Sequence, residues 1–135
     1  MIFTGKRPKN IGIDNGKLAA CPNKPNCVCS QDTRPSHKIE PLAASAINME
    51  NVKATVSSMQ GTKIIFSDSH YLHAECKSKI LGFIDDLEIF WDEEGKVFHV
   101  RSASRLGYSD LGANRKRIEN LRKRLLSAEA APESA

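Results

Sequence analysis

Two stretches of the chain carry apolar residues at the spacing of one helix face. The first lies between Asn48, a suitable N-cap, and Gly61, a suitable C-terminal stop, and its apolar positions are Met49, Val52, Val56 and Met59. The second follows Ser109 and Asp110, either of which could supply the N-cap, and its apolar positions are Leu111, Ile118, Leu121 and Leu125. The pattern therefore predicts one helix near the middle of the chain and another near its end.

Between these helices, four runs rich in β-branched and aromatic residues are separated by short polar connections. They predict strands over residues 62–67, 70–77, 83–91 and 96–103. Short connections between consecutive strands favour an antiparallel meander. The order α-β-β-β-β-α therefore predicts an α+β fold with two layers, in which two main helices cover one face of a four-stranded antiparallel sheet.

The two ends of the chain have no clear period. Residues 1–38 contain Pro8, Pro22, Pro25 and Pro35, and they predict an extended N-terminal segment packed on the domain. Residues 39–126 form the predicted α+β domain. Residues 127–135 are small, polar or charged, and predict a flexible tail.

The third predicted strand and the fourth form a hairpin whose register follows from alternation. Leu87, Ile89 and Trp91 share one face, and Asp86 and Glu88 share the other. A tight turn with Gly95 at a positive φ would align apolar residues with Phe98 and Val100, and would place the two acids on the face of His99 and Arg101.

By alternation, Asp85 lies on the same face as Leu87 and Ile89, which is expected to face the core. A buried carboxylate there needs a hydrogen-bond or ion-pair partner. The nearest candidates in sequence are Ser102, Ser104 and Arg105. We therefore expect Asp85 to anchor the loop that follows the fourth strand.

The charge is unevenly distributed, although the net charge is only +4. Residues 83–94 contain six acids and no base, and residues 101–124 contain eight bases against Asp110 and Glu119. Charge runs of this kind are most often solvated or paired within the domain. We therefore expect the acidic hairpin and the basic loop and helix mainly to complement each other.

No apolar run approaches the roughly 20 residues that cross a bilayer, and the N-terminus lacks the apolar block of a signal peptide. Localisation is left open: cytoplasmic if the chain is complete, and periplasmic or membrane-anchored if an N-terminal segment has been removed.

Three separated motifs resemble the domain-of-unknown-function 1499 family. They are Cys21-Pro-Asn-Lys-Pro-Asn-Cys27, Phe83-Ile-Asp-Asp-Leu-Glu88, and the segment from Arg101 to Ile118 that contains RSASRLGYSDLG and NRKRI. The resemblance spans roughly residues 8 to 125. It implies a small domain of bacteria and photosynthetic lineages, often behind a membrane or lipoprotein anchor, and it brings no established activity or catalytic residue. Cys29 stands where the family pattern has a serine, which argues against a role that needs all four cysteines.

The segment 101–115 supplies guanidinium forks, hydroxyls and amides next to a predicted helix N-terminus, which are groups that bind anions. We therefore predict a non-catalytic domain that binds a small anionic ligand, or an anionic group of a protein partner, without a cofactor. The candidate ligand-binding residues are Arg101, Ser104, Arg105, Ser109, Asn114 and Arg115, with Asp86 and Glu88 beside them. One alternative is a hydrolase-like enzyme that uses Asp86 or Glu88 with Arg101. Another alternative is a structural or assembly module of a membrane-associated complex.

The cysteines favour a local disulfide. Cys21 and Cys27 bracket five residues, two of them prolines, and closing so short a loop contributes roughly 2 kcal/mol. A metal site could in principle combine Cys21, Cys27 and Cys29 with Cys76, His70 or His73, but the spacing matches no common zinc pattern, so no metal site is predicted. A reactive thiol at Cys27 or Cys29 is a weaker alternative, because no histidine forms a recognisable pairing.

Other anion-binding functions have less support in the sequence. The chain contains neither of the common glycine-rich phosphate fingerprints. Nucleic acid is not a predicted partner, because Tyr71 and Tyr108 are too few aromatics for a base-stacking surface on the sheet. The oligomeric state is left open.

Overall fold

The computed structural model describes residues 5–43, 47–78 and 82–130, and within them the chain forms two helices and a six-stranded antiparallel sheet. The elements in chain order are β1 (Cys27–Cys29), β2 (Leu42–Ala43), α1 (Met49–Ser58), β3 (Thr62–Ser67), β4 (Tyr71–Lys77), β5 (Ile84–Asp92), β6 (Val97–Ser104) and α2 (Ala113–Ala130). The α+β class and the helix–strands–helix order are confirmed.

The sheet has the strand order β1-β6-β5-β4-β3, and β2 also pairs with β6. The four long strands form the predicted meander, and their bounds differ by at most one residue from those expected. Two further strands of the sheet, β1 and β2, were not predicted. β1 lies beside residues 101–103 and β2 beside residues 97–98, and strands of two or three residues are too short to show alternation.

The two faces of the sheet have different environments. The inner face packs against both helices through Leu72, Leu87, Ile89 and Val100, which contact side chains such as Val52, Val56, Ile118 and Leu121. Burying each such side chain contributes about 1.5–3 kcal/mol. The opposite face, called the outer face below, lies under the N-terminal segment. Gly12 of this segment contacts the sheet residue Glu88, and Leu18 belongs to a small cluster of buried apolar residues.

The hairpin register is confirmed. Ile89 pairs with Val100 and Trp91 with Phe98, which keeps the apolar side chains on the inner face. The positive φ of the turn lies at Lys96 (φ 55°), one residue after the predicted Gly95. The turn holds this shape because the Asp92 carboxylate accepts backbone hydrogen bonds from residues 94 and 95.

Helix α1 begins as predicted. The Asn48 side chain accepts a hydrogen bond from the Asn51 amide (2.8 Å), and the Asn51 side chain accepts one from the Asn48 amide (3.1 Å). The chain leaves the helix at Met59 and turns at Gly61, which has a φ of +74°. A Cβ on Gly61 would lie 2.6 Å from the Lys77 carbonyl oxygen, so both the turn and the close approach of β4 require glycine.

Helix α2 begins later than the apolar pattern suggested. Leu111 was predicted on its apolar face, but it precedes the helix with a φ of 54° and is 87% exposed. The start is set by Asp110, whose carboxylate accepts hydrogen bonds from the amides of Gly112 (2.8 Å) and Asn114 (3.0 Å). The helix continues to Ala130, so the first part of the predicted tail is helical, and residues 131–135 lie outside the described residues.

Candidate functional site

The outer face carries a cluster of charged and polar side chains, called the outer-face cluster below. Its members are Tyr71, His73 and Glu75 from β4, Asp86 and Glu88 from β5, and Arg101 and Arg105 from β6 and the residues after it. They share a face because they alternate along antiparallel strands in register, with His73 opposite Glu88 and Glu88 opposite Arg101. The predicted meeting of both signs of charge on this face is confirmed. Asp86 is 1% exposed and Glu88 is fully buried.

Arg105 joins two carboxylates. Its Nε and Nη2 donate to the two oxygens of Asp86 at 2.8 Å each, and Nη2 also donates to Glu75 Oε2 at 2.6 Å. These bonds, led by those to Asp86, raise the pKa of the guanidinium further above its usual value. Although burial acts to raise it, the pKa of the Asp86 carboxyl lies below its usual value because Arg105 and His73 donate to it. Asp86 is therefore ionised at neutral pH.

His73 lies against the same carboxylate, with Nε2 at 2.8 Å from Asp86 Oδ1. An ionised carboxylate only accepts hydrogen bonds, so Nε2 carries the proton of this contact. Glu75 also receives hydrogen bonds from Arg7, at 3.0 and 2.6 Å. The pKa of the Glu75 carboxyl is lowered by the bonds from Arg7 and Arg105, which outweigh the effect of its burial.

Glu88 accepts hydrogen bonds through only one of its two oxygens among the described residues. Oε2 accepts hydrogen bonds from the Tyr71 hydroxyl (2.6 Å) and the Gly12 amide (2.9 Å), whereas Oε1 has no hydrogen-bond partner among the described residues. Burial, followed by the bond to Glu88, raises the pKa of Tyr71 well above its usual value. Tyr71 therefore stays protonated and acts as a donor.

Arg101 is held much more loosely than Arg105. Its Nη1 lies 3.5 Å from Glu88 Oε1, and its Nη2 lies 3.5 Å from the Ala20 carbonyl oxygen. Within the described part of the chain, its Nε donor has no hydrogen-bond partner. Both distances exceed the usual 2.7–2.9 Å of a charge-assisted bond. The side chain is nonetheless only 4% exposed, so this guanidinium is buried with unused donor capacity.

A cavity of about 290 Å³ adjoins Arg101. The sheet contributes Asp86, Arg101, Ala103 and Ser104 to its wall, and the N-terminal segment contributes Pro8, Asn10, Ala20 and Pro22. We call it the outer cavity. Of the predicted ligand-binding residues, Asp86 and Arg101 meet at this cavity, and Ser104 lies in its wall but directs its hydroxyl to Asn114 on the inner face. Glu88 and Arg105 lie beside it as ion-pair partners of Arg101 and Asp86.

The wall from the N-terminal segment is fixed by covalent and polar contacts. The predicted disulfide is confirmed, and it joins Cys21 to Cys27 of β1. Asp32 accepts a hydrogen bond from the Cys21 amide (3.2 Å), and Arg34 donates to the Cys21 carbonyl (2.6 Å). Arg34 also donates to the Asp32 carboxylate, with Nη2 at 2.7 Å from Oδ2, and this bonding is the main cause of the lowered pKa of the Asp32 carboxyl.

Asp85 does not anchor the loop in the predicted way. Its ion pair is with Arg117 of α2, at 2.8 Å, rather than with Ser102, Ser104 or Arg105. Arg117 also donates to Ser102 Oγ (3.1 Å), so a polar network joins β5, β6 and α2 on the inner face. Arg105 lies on the outer face, where it binds Asp86 and Glu75, and the hydroxyls of Ser102 and Ser104 are hydrogen-bonded to Asn114. Arg117 of α2 is therefore the partner that meets Asp85 on the inner face.

The remaining predicted ligand-binding residues lie away from the outer cavity. Asn114 is fully buried in the network of the inner face, where its Nδ2 donates to the Asn26 carbonyl and to Ser104 Oγ. Arg115 donates to the carbonyls of Ser36 and Lys38. The exposed Ser109 accepts a hydrogen bond from the Leu111 amide. The structure therefore divides the predicted set between the two faces.

Sequence reasoning missed His73, Glu75 and the role of Tyr71. The alternation of β4 could have revealed them. These residues occupy every second position of the strand, on the face that lies beside Asp86 and Glu88. The wall residues of the N-terminal segment gave no such signal.

Burial keeps the other two cysteines unreactive, because it outweighs the nearby Arg101 at Cys29 and the nearby Arg117 at Cys76. Cys29 and Cys76 are buried free thiols, and burial is the main cause of their raised pKa values. Across residues 5–43, 47–78 and 82–130, no group of three or more His, Cys, Asp or Glu side chains is arranged to hold a metal ion. No helix in the same ranges is both long and apolar enough to span a bilayer.

The structure defines a small α+β domain with a buried charged cluster beneath its N-terminal segment. The chain belongs to the family described as "Protein of unknown function (DUF1499)", whose model matches residues 17–125. A search of curated proteins finds no match to this chain. The matched range includes the disulfide, the outer-face cluster from Tyr71 to Arg105 and helix α2 as far as Leu125, but it begins after the wall residues Pro8 and Asn10.

Proposed function

We propose that this chain is a non-catalytic binding domain that holds the anionic group of a small ligand in the outer cavity, with Arg101 as its anchor. The observation that carries the proposal is the loose coordination of a buried guanidinium beside a cavity. A buried donor left without a hydrogen bond costs about 1–3 kcal/mol. A ligand acceptor that completes the coordination of Arg101 recovers that cost.

The charge balance of the cluster narrows the ligand class. The three carboxylates of Glu75, Asp86 and Glu88 face the three guanidiniums of Arg7, Arg101 and Arg105. The cluster therefore has little net charge to attract a simple inorganic anion. A ligand with both an acid and a donor group suits it better, because Asp86 lines the cavity and a carboxylate offers about four acceptor positions, three of which are used.

The volume of the cavity is consistent with a small ligand. About 290 Å³ lies at the lower end of the range of small-molecule sites, which is roughly 300–1,000 Å³. The class we propose is a hydroxy or amino carboxylic acid, or the equivalent group at the end of a partner molecule. Its carboxylate would accept from Arg101 and its hydroxyl or ammonium group would donate to Asp86.

The acids of the cluster are poorly suited to general base catalysis. A general base works best with a pKa near the working pH and a lone pair directed at substrate. The pKa of Asp86 is lowered, and both of its oxygens accept hydrogen bonds from the protein. Glu88 is fully buried and accepts two hydrogen bonds on Oε2. These contacts favour binding over the hydrolase alternative.

The proposal is tested by native mass spectrometry and by thermal unfolding with a panel of 2-hydroxy and 2-amino carboxylic acids at millimolar concentration. At least one acid is expected to raise the melting temperature in a saturable way, because binding to the native state stabilises it. Arg101→Gln should remove this shift, and Arg115→Gln, which changes a guanidinium held only by backbone carbonyls, should retain it. Absence of any saturable shift in the wild type, or an equal loss in both variants, would contradict the proposal.

A further inference from the structure

A second concave site lies on the helix side of the sheet. Here α2 and the turn after α1 border a cleft of about 400 Å³ that is open to solvent and lies beside the ends of β3 and β4. We call it the basic cleft. Its wall includes three cationic residues of α2, namely Lys116, Arg117 and Arg124, and the end of β4 at Lys77, whose side chain has the outer-face parity of Glu75. Thr62 and Asn120 add a hydroxyl and an amide. Among the wall residues that the structure describes there is no carboxylate and no aromatic ring.

The geometry of α2 separates its basic residues into two groups. Arg115 and Arg122 donate to backbone carbonyls between Ser36 and Pro41 and so attach the helix to the preceding chain. Residues 116, 117, 120 and 124 lie on another side of the helix, because positions three and four apart are neighbours on a helix surface. The sequence run 115–117 therefore does not act as one basic patch.

The charges of the basic cleft are largely uncompensated. Arg117 is paired with Asp85 at 2.8 Å and is mostly buried, so it forms a fixed part of the wall. Lys116 and Arg124 are exposed, and no carboxylate of the described residues makes an ion pair with either of them. The cleft therefore has two positive charges in excess, from Lys116 and Arg124, which contrasts with the nearly neutral outer-face cluster. A concave surface of one sign focuses the field and concentrates counter-ions.

We propose that the basic cleft binds the phosphate group of a small phosphorylated molecule. The Lys116 ammonium group and the Thr62 hydroxyl are suitable donors to the tetrahedral oxygens of phosphate, and Arg124 supplies a guanidinium. The lack of an aromatic platform disfavours the stacked bases of a single-stranded nucleic acid. This site is independent of the outer cavity, because the two lie on opposite faces of the sheet and share no wall residue.

The test is a titration of ¹⁵N-labelled protein with inorganic phosphate and with inorganic pyrophosphate, at ionic strength held constant with chloride. Saturable shifts are expected at the amides of Lys77, Lys116 and Asn120. The double variant Lys116→Gln/Arg124→Gln should raise the Kd about tenfold or more, since it removes two charged donors. Lys123→Gln, which changes an exposed lysine of the same helix outside the cleft, should leave the Kd unchanged.

Two results would overturn the proposal. One is a shift that grows linearly with either anion, or that weakens equally in Lys123→Gln, because diffuse screening rather than a site would then explain it. The other is tighter binding of a short DNA duplex with an equal loss in Lys123→Gln, which would indicate a nucleic-acid surface. Arg101→Gln should change neither titration, so the outcome here is separate from that for the outer cavity.

Discussion

Arg105→Ala removes the cation that joins two carboxylates of the outer-face cluster. In the native protein this guanidinium donates three hydrogen bonds of 2.6 to 2.8 Å and has a side chain only 5% exposed. After the substitution, Asp86 keeps only its contact with His73, and Glu75 keeps only its contacts with Arg7. Because Asp86 is 1% exposed, water does not readily replace the lost donors.

The expected cost follows from these two carboxylates. Removing one partner of a buried ion pair costs about 3–5 kcal/mol, because the other charge is left without compensation. Glu75 is 17% exposed and retains Arg7, so most of the cost falls on Asp86. We therefore expect a loss of about 3 kcal/mol in the free energy of unfolding at pH 7. With a urea m-value of about 2 kcal/mol/M, the unfolding midpoint falls by about 1.5 M.

The assay is urea unfolding at several pH values, with Arg7→Ala as the control. The pKa of Asp86 is lowered in the folded protein, so its ionised form adds stability above the unfolded-state pKa, and this stability is lost as the pH falls through the folded-state pKa. In Arg105→Ala, burial instead favours the neutral carboxyl, so the difference between variant and wild type should shrink on acidification. Arg7 is 52% exposed, and its loss should cost less than about 1 kcal/mol. A loss below about 1 kcal/mol for Arg105→Ala at pH 7, or a difference independent of pH, would refute this reasoning.

Three further changes test the fold by urea unfolding. Asn48→Ala removes the cap of α1 and should cost about 1 kcal/mol, whereas no measurable loss would show that the cap is unimportant. Gly61→Ala should cost at least about 1–2 kcal/mol for the left-handed backbone, and more because its Cβ meets the Lys77 carbonyl; a neutral result would contradict that close approach. Cys21→Ser/Cys27→Ser should lower the free energy of unfolding by about 2 kcal/mol relative to the oxidised protein. The reduced wild type serves as the control and should be as stable as this variant.

The hairpin of β5 and β6 could be predicted from the sequence because each strand is long enough to alternate and the turn between them is short. A slip of one residue would have placed Leu87 opposite Arg101, and the structure pairs Glu88 with Arg101 instead. The disulfide was accessible to prediction for a similar reason, since Cys21 and Cys27 are close along the chain.

Contacts between distant parts of the chain were harder to predict. Strand alternation correctly placed Asp85 on the inner face. Its partner was sought near the end of β6 because those residues are close in sequence, but the side chain forms an ion pair with Arg117 of α2. The burial of Asp86 and Glu88 could not be inferred from their own strand. It depends on an N-terminal segment that has no period, and whose hydrogen bond from Gly12 to Glu88 is visible only in three dimensions.

The disulfide has a consequence for the binding that we propose as well as for stability. Cys21 lies between Ala20 and Pro22, two residues of the cavity wall, so its bond to Cys27 fixes that wall against the edge of the sheet before any ligand arrives. A wall ordered in advance loses little conformational entropy when a ligand binds. Reduction of the disulfide would leave the wall less ordered, so ligand binding would have to order it and would lose that conformational entropy. We therefore expect a thiol reductant to weaken binding at the proposed site, although no cysteine lies in the cavity wall.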